Sequence, residues 1–378
     1  VKDTDMDVKP ARKQRSFLAY GSAMLGLLSL VAVLCFHFPQ LLTSKEIRAV
    51  YSEQFARQLL LVGLVASFIM GTLAMLRDRN KRIAAIGVGS ATLAVLAGGT
   101  DVQLDGIGKT PYSLGLDWFV LSLFFSALVF VPLEHYLGRR RTSPLRAGWR
   151  TDIAYFFMSH VLVQFILILV TASTSTIAGL ALFPALKQAI QWLPVWSQFL
   201  LAVLVADLAQ ASLHRAYHNI PWLWRFHAVH HSSREMDWLA GSRIHFVEIV
   251  LTRSAVLLPL LVLGFSAPAV NAYVILVGLQ AVMAHANLGI RFGWLEYVLV
   301  LPRYHHWHHA REQDYIDVNY AIHLPLVDML MGTFKLPPDP RAWPGEYGVM
   351  KLDTVPRGIV DQHLMPFRKR KHFDDHVA

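Results

Sequence analysis

The stretch His214-Arg215-Ala216-Tyr217-His218-Asn219-Ile220-Pro221-Trp222-Leu223-Trp224-Arg225-Phe226-His227-Ala228-Val229-His230-His231 decides how the rest of the chain is read. It follows one apolar run, near 196–213, and precedes another, 249–288, so its histidines lie where a membrane span meets water. His214 and His218 are four apart, which on a helix of about 3.6 residues per turn puts both rings on one face. His227, His230 and His231 repeat the trick at i, i+3 and i+4. So do His305, His308 and His309, whereas His306 is rotated by roughly 100° from His305 and should point elsewhere. Neutral imidazoles in this number suit a borderline divalent metal such as iron, zinc or copper, and they exceed what one ion can use, so two ions are expected. A buried structural histidine is the better explanation for any one of them alone; three same-face clusters in one chain argue against it.

Of the 378 residues, 54% are hydrophobic and 16% charged, with a mean hydropathy of +0.40, a balance that suits a bilayer better than water. Apolar segments near the roughly 20 residues that cross a membrane fall around 17–38, 58–76, 83–98, 117–133, 153–172 and 196–213. The run 249–288 is broken by Pro259, Gly264 and Ser266-Ala267-Pro268, as in a helical hairpin that dips in and returns. The first run follows a polar, basic stretch, lacks a small-residue cleavage pattern, and reads as a retained span. Three basic clusters fall on one side of the alternating path: Lys9, Arg12, Lys13 and Arg15; Arg77, Arg79, Lys81 and Arg82; and Arg139, Arg140, Arg141, Arg146 and Arg150. That side is expected to be cytosolic, and it also receives segments 214–248 and 285–378, including Arg368, Lys369, Arg370 and Lys371. Orientation in a bilayer therefore explains the net charge of +9, and no nucleic-acid partner is expected. With Cys35 as its one cysteine, the chain can build neither a disulfide framework nor a thiolate-held metal centre. The expected fold is all-α, a polytopic membrane helical bundle with a cytosolic histidine-rich helical cap holding a dinuclear metal site. Its expected divisions are a membrane domain of about four transmembrane helices at 1–150, a catalytic domain with spans and histidine motifs at 151–333, and a cytosolic tail at 334–378.

His285, in Ala284-His285-Ala286-Asn287, and His245, in Arg243-Ile244-His245-Phe246-Val247-Glu248, would complete the metal shells, His285 with the stronger claim. Asp207 lies seven residues before His214, two turns up the same face and inside an apolar span, where an unpaired carboxylate is costly. Either it accepts the N–H of a ligand histidine or it pairs with Arg215. Glu248, three after His245, follows the same logic, and Asp328 is expected to fix a loop. His37, His135, His323, His363, His372 and His376 read as structural or solvated. His160 reads the same way, although an ionisable group within a span invites a functional role.

These residues bear a family likeness. His214 to His218, Trp224-Arg225-Phe226-His227-Ala228-Val229-His230-His231-Ser232-Ser233 and Pro302-Arg303-Tyr304-His305-His306-Trp307-His308-His309 carry it, with Asp237-Trp238-Leu239, Arg243, His245, Asn319-Tyr320, Asp328 and Gly332-Thr333. From about Asp207 to Thr333 the chain resembles the fatty acid hydroxylase/sterol desaturase superfamily; the first four spans lie outside the likeness. The resemblance implies a membrane-bound non-haem centre of two iron ions (Fe2+/Fe3+), with O2 as co-substrate, that hydroxylates, desaturates or cleaves lipids. It maps metal ligands onto His214, His218, His227, His230, His231, His285, His305, His308 and His309. Two departures stand out: Phe246 replaces a proline that many members have after the residue equivalent to His245, and Gly289 stands where some relatives have a further histidine. The tenth ligand is therefore unassigned, with His245 as a candidate.

The function expected is O2-dependent C–H hydroxylation of a lipid or sterol-like substrate whose tail enters from the bilayer. Desaturation on the same site is the alternative. Trp222, Trp224 and Trp238 flank the cluster and suit the membrane interface. Electrons must come from a ferredoxin or cytochrome b5-type donor with its reductase, because the chain has no thiolate cluster and no G-x-G-x-x-G after a strand. A membrane zinc hydrolase would need a general base beside the metal, as in H-E-x-x-H, and none lies between His214 and His218. A metal transporter would spread ionisable ligands along its spans. The expected location is a bacterial inner membrane or the endoplasmic reticulum, multi-pass, with the active site on the cytosolic face.

Overall fold

The computed structural model describes residues 17–43, 52–77, 81–102, 115–162, 183–350, 356 and 358–368. Among these the chain is all-helical, with no strand beyond two isolated bridges. It divides into two compact units between Leu121 and Ser122, whereas the sequence suggested a division near residue 150.

The first unit holds α1 (Phe17–His37), α2 (Glu53–Arg77) and α3 (Lys81–Leu96). Small residues let these helices approach closely, as is usual where lipid removes the hydrophobic drive between helices. A Cβ at Gly26 would lie 2.2 Å from the Gly87 carbonyl oxygen, and one at Gly87 would lie 2.4 Å from the main chain of Ser22. The polar groups buried there satisfy one another: Ser22 Oγ donates to the Ser67 carbonyl at 2.8 Å, and Ser67 Oγ donates to the Ser22 carbonyl at 2.9 Å. The basic residues Lys9, Arg12, Lys13, Arg15 and Arg79 lie outside the described residues.

α4 (Leu116–Leu137) belongs to the second unit from Ser122 onward. Helix α5 is described over 149–162, and the remainder of the span expected at 153–172 lies outside the described residues. Then come α6 (Pro184–Trp192), α7 (Val195–Asn219) and α8 (Pro221–His227). The expected hairpin forms as α9 (Phe246–Val262) and α10 (Ala267–His285), turning at Gly264, whose φ of +76° suits a residue without Cβ. Pro259 sits in the last turn of α9 without ending it. Short helices α11 (Pro302–His308), α12 (Pro325–Met331) and α13 (Ile359–Leu364) complete the unit.

Ala202, Val203 and Ala206 of α7 pack on Val256 and Leu260 of α9 and on Tyr273 and Val277 of α10, forming the wall beneath the histidines. Among the described residues, six helical segments are long and apolar enough to span: α1, α2, Lys81–Asp101, α4, α7 and α10. Leu128, Leu200, Ile275 and Leu279 are exposed on these helices, which water would penalise and lipid does not. The chain is a multi-pass membrane protein.

Two features of the second unit were not visible in the sequence. The first is a buried ion lattice. Arg146 bridges Asp237 (2.7 Å) and Asp152 (2.8 Å), and Asp152 also binds Arg243 (2.6 Å), tying α5 to the loop after His231. The second is that residues 334–350 are not a free tail: the Arg303 guanidinium, paired with Glu296 at 2.7 Å, also donates to the carbonyls of Pro337, Asp339 and Ala342. His363, expected to be structural or solvated, stacks on Tyr155 and on His245. Lys369, Arg370, Lys371, His372 and His376 lie outside the described residues. Asp152→Ala leaves Arg243 and Arg146 buried with one carboxylate fewer and should cost about 3–5 kcal/mol. Thermal unfolding in detergent should show the lower midpoint, with part of the loss recovered in Asp152→Ala/Arg243→Met.

Candidate metal centre

α7 runs out of the apolar wall and ends its last turns with His214 and His218. α8 stops at His227, and the chain passes through Ala228 and Val229 into a 3-10 turn at His230–Ser232. His227, His230 and His231 therefore do not share one α-helical face, contrary to the expectation from their spacing. α10 terminates on His285, while α11 carries His305 and His308 and is capped by His309. All nine side chains are buried.

The nitrogens gather in two groups, His214, His218, His227, His231 and His308 in one, and His230, His285, His305 and His309 in the other, each within 4.8 Å. Every triplet is thus divided. His227 and His231 go to the first group and His230 to the second, while His305 and His309 go to the second and His308 to the first. An i, i+4 pair shares a group, and the i+3 residue between serves the neighbouring one.

Where a ring's Nδ1 meets an oxygen that can only accept, the hydrogen bond fixes which nitrogen carries the proton. Nδ1 of His214 lies 2.8 Å from the Tyr320 carbonyl, that of His308 2.8 Å from the Val318 carbonyl, that of His230 3.1 Å from the Arg243 carbonyl and that of His285 2.8 Å from the Ala281 carbonyl. A carbonyl only accepts, so Nδ1 donates in each. His218 Nδ1 donates likewise to the Asp317 carboxylate at 2.9 Å, and His227 Nδ1 lies 2.7 Å from the Glu248 carboxyl, which burial pushes up to about 8. These rings are neutral: burial first, and neighbouring imidazoles second, hold His227, His230, His231, His305, His308 and His309 well below the usual histidine range. Each ring that spends its proton outward turns the bare lone pair of Nε2 inward. His230 and His285 then face each other at 3.3 Å with no proton between, and His214 Nε2 lies 3.0 Å from that of His227. Nε2 of His218 and of His308 is buried without a hydrogen-bond partner. Lone pairs set this close repel unless a cation lies among them, and two all-imidazole sets fit two divalent transition metals.

One loop orients three rings of the first group: Asp317 by its carboxylate, Val318 and Tyr320 by their carbonyls. Asp317 (φ +58°) and Asn319 (φ +62°) adopt the left-handed conformation that short polar side chains tolerate best. Asn319 pins the loop by pairing with both main-chain groups of Lys335, at 2.7 and 2.8 Å. Asp328 takes the N–H groups of Tyr320 and Ala321 and the hydroxyls of Tyr304 and Thr333, fixing a loop as expected. Asp207 corrects the sequence reading. It touches neither a histidine ring nor Arg215, and its carboxylate accepts the main-chain N–H groups of Ile322, His323 and Leu324. Its position two turns above His214 is real, but the loop's donors reach it first.

The structure does not bring His245 to either group. Its Nδ1 caps α9 by accepting from Val247 N–H at 3.1 Å, and its Nε2 lies 3.1 Å from the His363 carbonyl. His323 binds Gln280 at 2.6 Å and is structural. Of the tryptophans, Trp222 is exposed, whereas Trp224 and Trp238 are buried, Trp224 against the rings of His218 and His231. Sequence reasoning missed Asp317, whose left-handed turn gave no signal, along with Arg146, Asp152 and Asp237.

Histidines held below their ordinary value make the metal-free fold a proton sensor of known sign. The unfolded chain takes up protons below about pH 6.5 that the folded one refuses. Stability of the metal-free protein should therefore be full at pH 7.5 and fall steeply as pH drops through 6, read by thermal unfolding after chelation. Asp207→Asn replaces one acceptor for the loop with a donor and should weaken metal binding about tenfold, measured by competition with a chromophoric chelator, whereas Arg215→Ala should not.

Residues 199–333 match the family described as fatty acid hydroxylase. An ornithine lipid hydroxylase of Rhizobium tropici is 28% identical over 262 residues, 67% of this chain and 76% of its own length. An alkylglycerol monooxygenase of Danio rerio is 32% identical over 149 residues, and the chain spans only 31% of that protein. A very-long-chain aldehyde decarbonylase of Oryza sativa is 26% identical over 208 residues, 50% of this chain and 32% of its own. No solved structure matches significantly. The segment 199–333, which carries all nine clustered histidines, thus matches the fatty acid hydroxylase family, and among the chain's relatives are lipid hydroxylases and monooxygenases, which are oxidoreductases.

Proposed function

We propose that the chain hydroxylates a C–H bond of a polar membrane lipid, using O2 and two iron ions held by the nine clustered histidines, on the cytosolic side of its membrane. The observation that carries this is the pair of buried histidine groups whose Nε2 atoms face one another, with the rings of His214, His218, His230, His285 and His308 fixed by an outward Nδ1–H. The ornithine lipid hydroxylase, which the chain matches over most of its length, favours a lipid with a polar head group as the substrate. When bound, iron supplies the O2 activation and hydrogen abstraction that no side chain here can perform.

The chain's own residues do the rest. Asp317 strengthens the donor power of His218 by taking its Nδ1 proton in a hydrogen bond, and the Glu248 carboxyl orients His227. Tyr217 stacks flat on His227 at 5.4 Å, and its hydroxyl reaches Thr252 at 3.1 Å, so the ring cannot turn. Trp224 covers the same group and helps exclude water. The wall of α7, α9 and α10 offers apolar side chains to an acyl tail coming from the bilayer. The reaction balances with an outside reductant: O2, two electrons, two protons and the C–H group give an alcohol and one water. We assign the reductant to a ferredoxin or cytochrome b5-type carrier. The divisions 1–150 for an N-terminal membrane domain, 151–333 for the catalytic part and 334–378 for a cytosolic tail belong to the same proposal.

Protein purified from an iron-replete host should hold about two irons per chain. Cells expressing it should show a lipid that has gained one oxygen by mass spectrometry. His308→Ala and His230→Ala should each abolish the product and lower bound iron, whereas His372→Ala should alter neither. A metal-free preparation, or a product lacking two hydrogens in place of the added oxygen, would overturn the hydroxylase assignment.

A further inference from the structure

At the end of α4 the chain runs into Arg139-Arg140-Arg141, and two separate routes join this basic run to the second histidine group. One is main chain. Gly138 and Leu288 form an antiparallel bridge, Gly289 N–H donates to the Leu137 carbonyl at 2.8 Å, and Arg139 N–H donates to the Asn287 carbonyl at 3.3 Å. Asn287 adds its side chain, which accepts from Arg140 N–H at 3.1 Å and donates to the Arg140 carbonyl at 2.7 Å. The pairing therefore begins two residues beyond His285.

The other route is made of rings. The Arg140 guanidinium donates to the carbonyls of Pro344 and Gly345 and lies 4.6 Å over the ring of Tyr347. Tyr347 Oη donates to His306 Nδ1 at 2.8 Å, and His306 Nε2–H donates to the His285 carbonyl at 3.1 Å. Trp343 meets the His306 ring edge-on at 5.1 Å. His306 is buried but belongs to neither histidine group, so its place in this relay gives it a role that metal ligation does not.

The outer end of this path is a positive surface. Arg139 and Arg141 are exposed, as is Arg291 two residues past Gly289, and among the described residues none of the three forms an ion pair. Of the carboxylates on this side, Glu346 is engaged by Arg311 at 3.2 Å and Glu312 accepts the Gly345 N–H. Unpaired surface arginines attract an acidic partner over about a Debye length and raise its encounter rate.

We propose that Arg139, Arg141 and Arg291 form the docking surface for an acidic one-electron carrier protein, whose electron reaches the His230, His285, His305 and His309 group through Tyr347 and His306. This rests on the hydroxylase function proposed above, which consumes two electrons per turnover. Each docking event oxidises the reduced carrier by one electron and reduces the metal centre by one. Two such events, with two protons and one O2, convert C–H to C–OH and release one water. An anionic lipid surface would meet the same charge, but it would give the ring path to His285 nothing to carry.

The test uses the iron-loaded full chain in phosphatidylcholine nanodiscs, with a reduced [2Fe–2S] ferredoxin as probe followed by stopped flow. Arg139→Glu/Arg141→Glu should lower the second-order rate of ferredoxin oxidation about tenfold or more at low salt and flatten its salt dependence. Reduction by photogenerated 5-deazariboflavin radical, small and neutral, should proceed at the unmodified rate. Arg139→Gln/Arg141→Gln should give an intermediate loss. Equal ferredoxin rates and salt slopes in all three proteins overturn the proposal, and so does an equal loss with the flavin. An effect that appears only after phosphatidylglycerol is added overturns it in favour of lipid binding. A chain that accepts ferredoxin electrons as expected but modifies no lipid fails as a hydroxylase with its docking surface intact; lipid hydroxylation with flavin electrons and an indifferent ferredoxin rate shows the reverse.

Discussion

Imidazole lone pairs forced to face one another at about hydrogen-bond distance, with no proton between them, are the constraint on which the second unit is built. Such an arrangement is unfavourable in itself, and a buried polar group without a partner adds its own cost. It persists because every outward nitrogen that the structure fixes is held by an oxygen that cannot move. The Tyr320 and Val318 carbonyls sit in a loop held by Asn319, Asp207 and Asp328. The Arg243 carbonyl sits beside a guanidinium locked into Asp152. Buried charge elsewhere in the unit thus serves mainly to immobilise carbonyl oxygens around the rings.

The two histidine groups differ in more than ring number. Both carboxylates that touch a ring, Asp317 and Glu248, act on the five-ring group, while the fixed rings of the four-ring group donate only to main-chain carbonyls. A carboxylate makes the ring it orients a stronger donor than a carbonyl does. The four-ring group is also the one whose His285 is tied, through main chain and through His306, to the basic surface.

Spacing arguments succeeded where a helix runs unbroken. His214 and His218 share a face because α7 continues through both. They failed at His227 to His231, where the helix stops and a 3-10 turn redirects the rings, and neither Ala228 nor Val229 announces that stop. Asp207 was correctly singled out as a costly buried carboxylate, but its partners are N–H groups more than a hundred residues away, and such pairing leaves no local trace. His245 shows the converse: a residue that carries the family likeness is spent on capping a helix.

What the amino-acid order determined by itself was the first four apolar spans and the one that ends at the first histidines, the hairpin at Gly264, the clustering of histidines at the ends of spans and the lack of a thiolate set for any metal. Each follows from periodicity or residue type over a few consecutive turns. Only the tertiary structure decided which rings join which group, which nitrogen each ring turns inward, and that a run of arginines lies against Tyr347 and His306. Those outcomes depend on hydrogen bonds between segments far apart in the chain, whose directions are set when α7, α10, α11 and the 316–324 loop pack together.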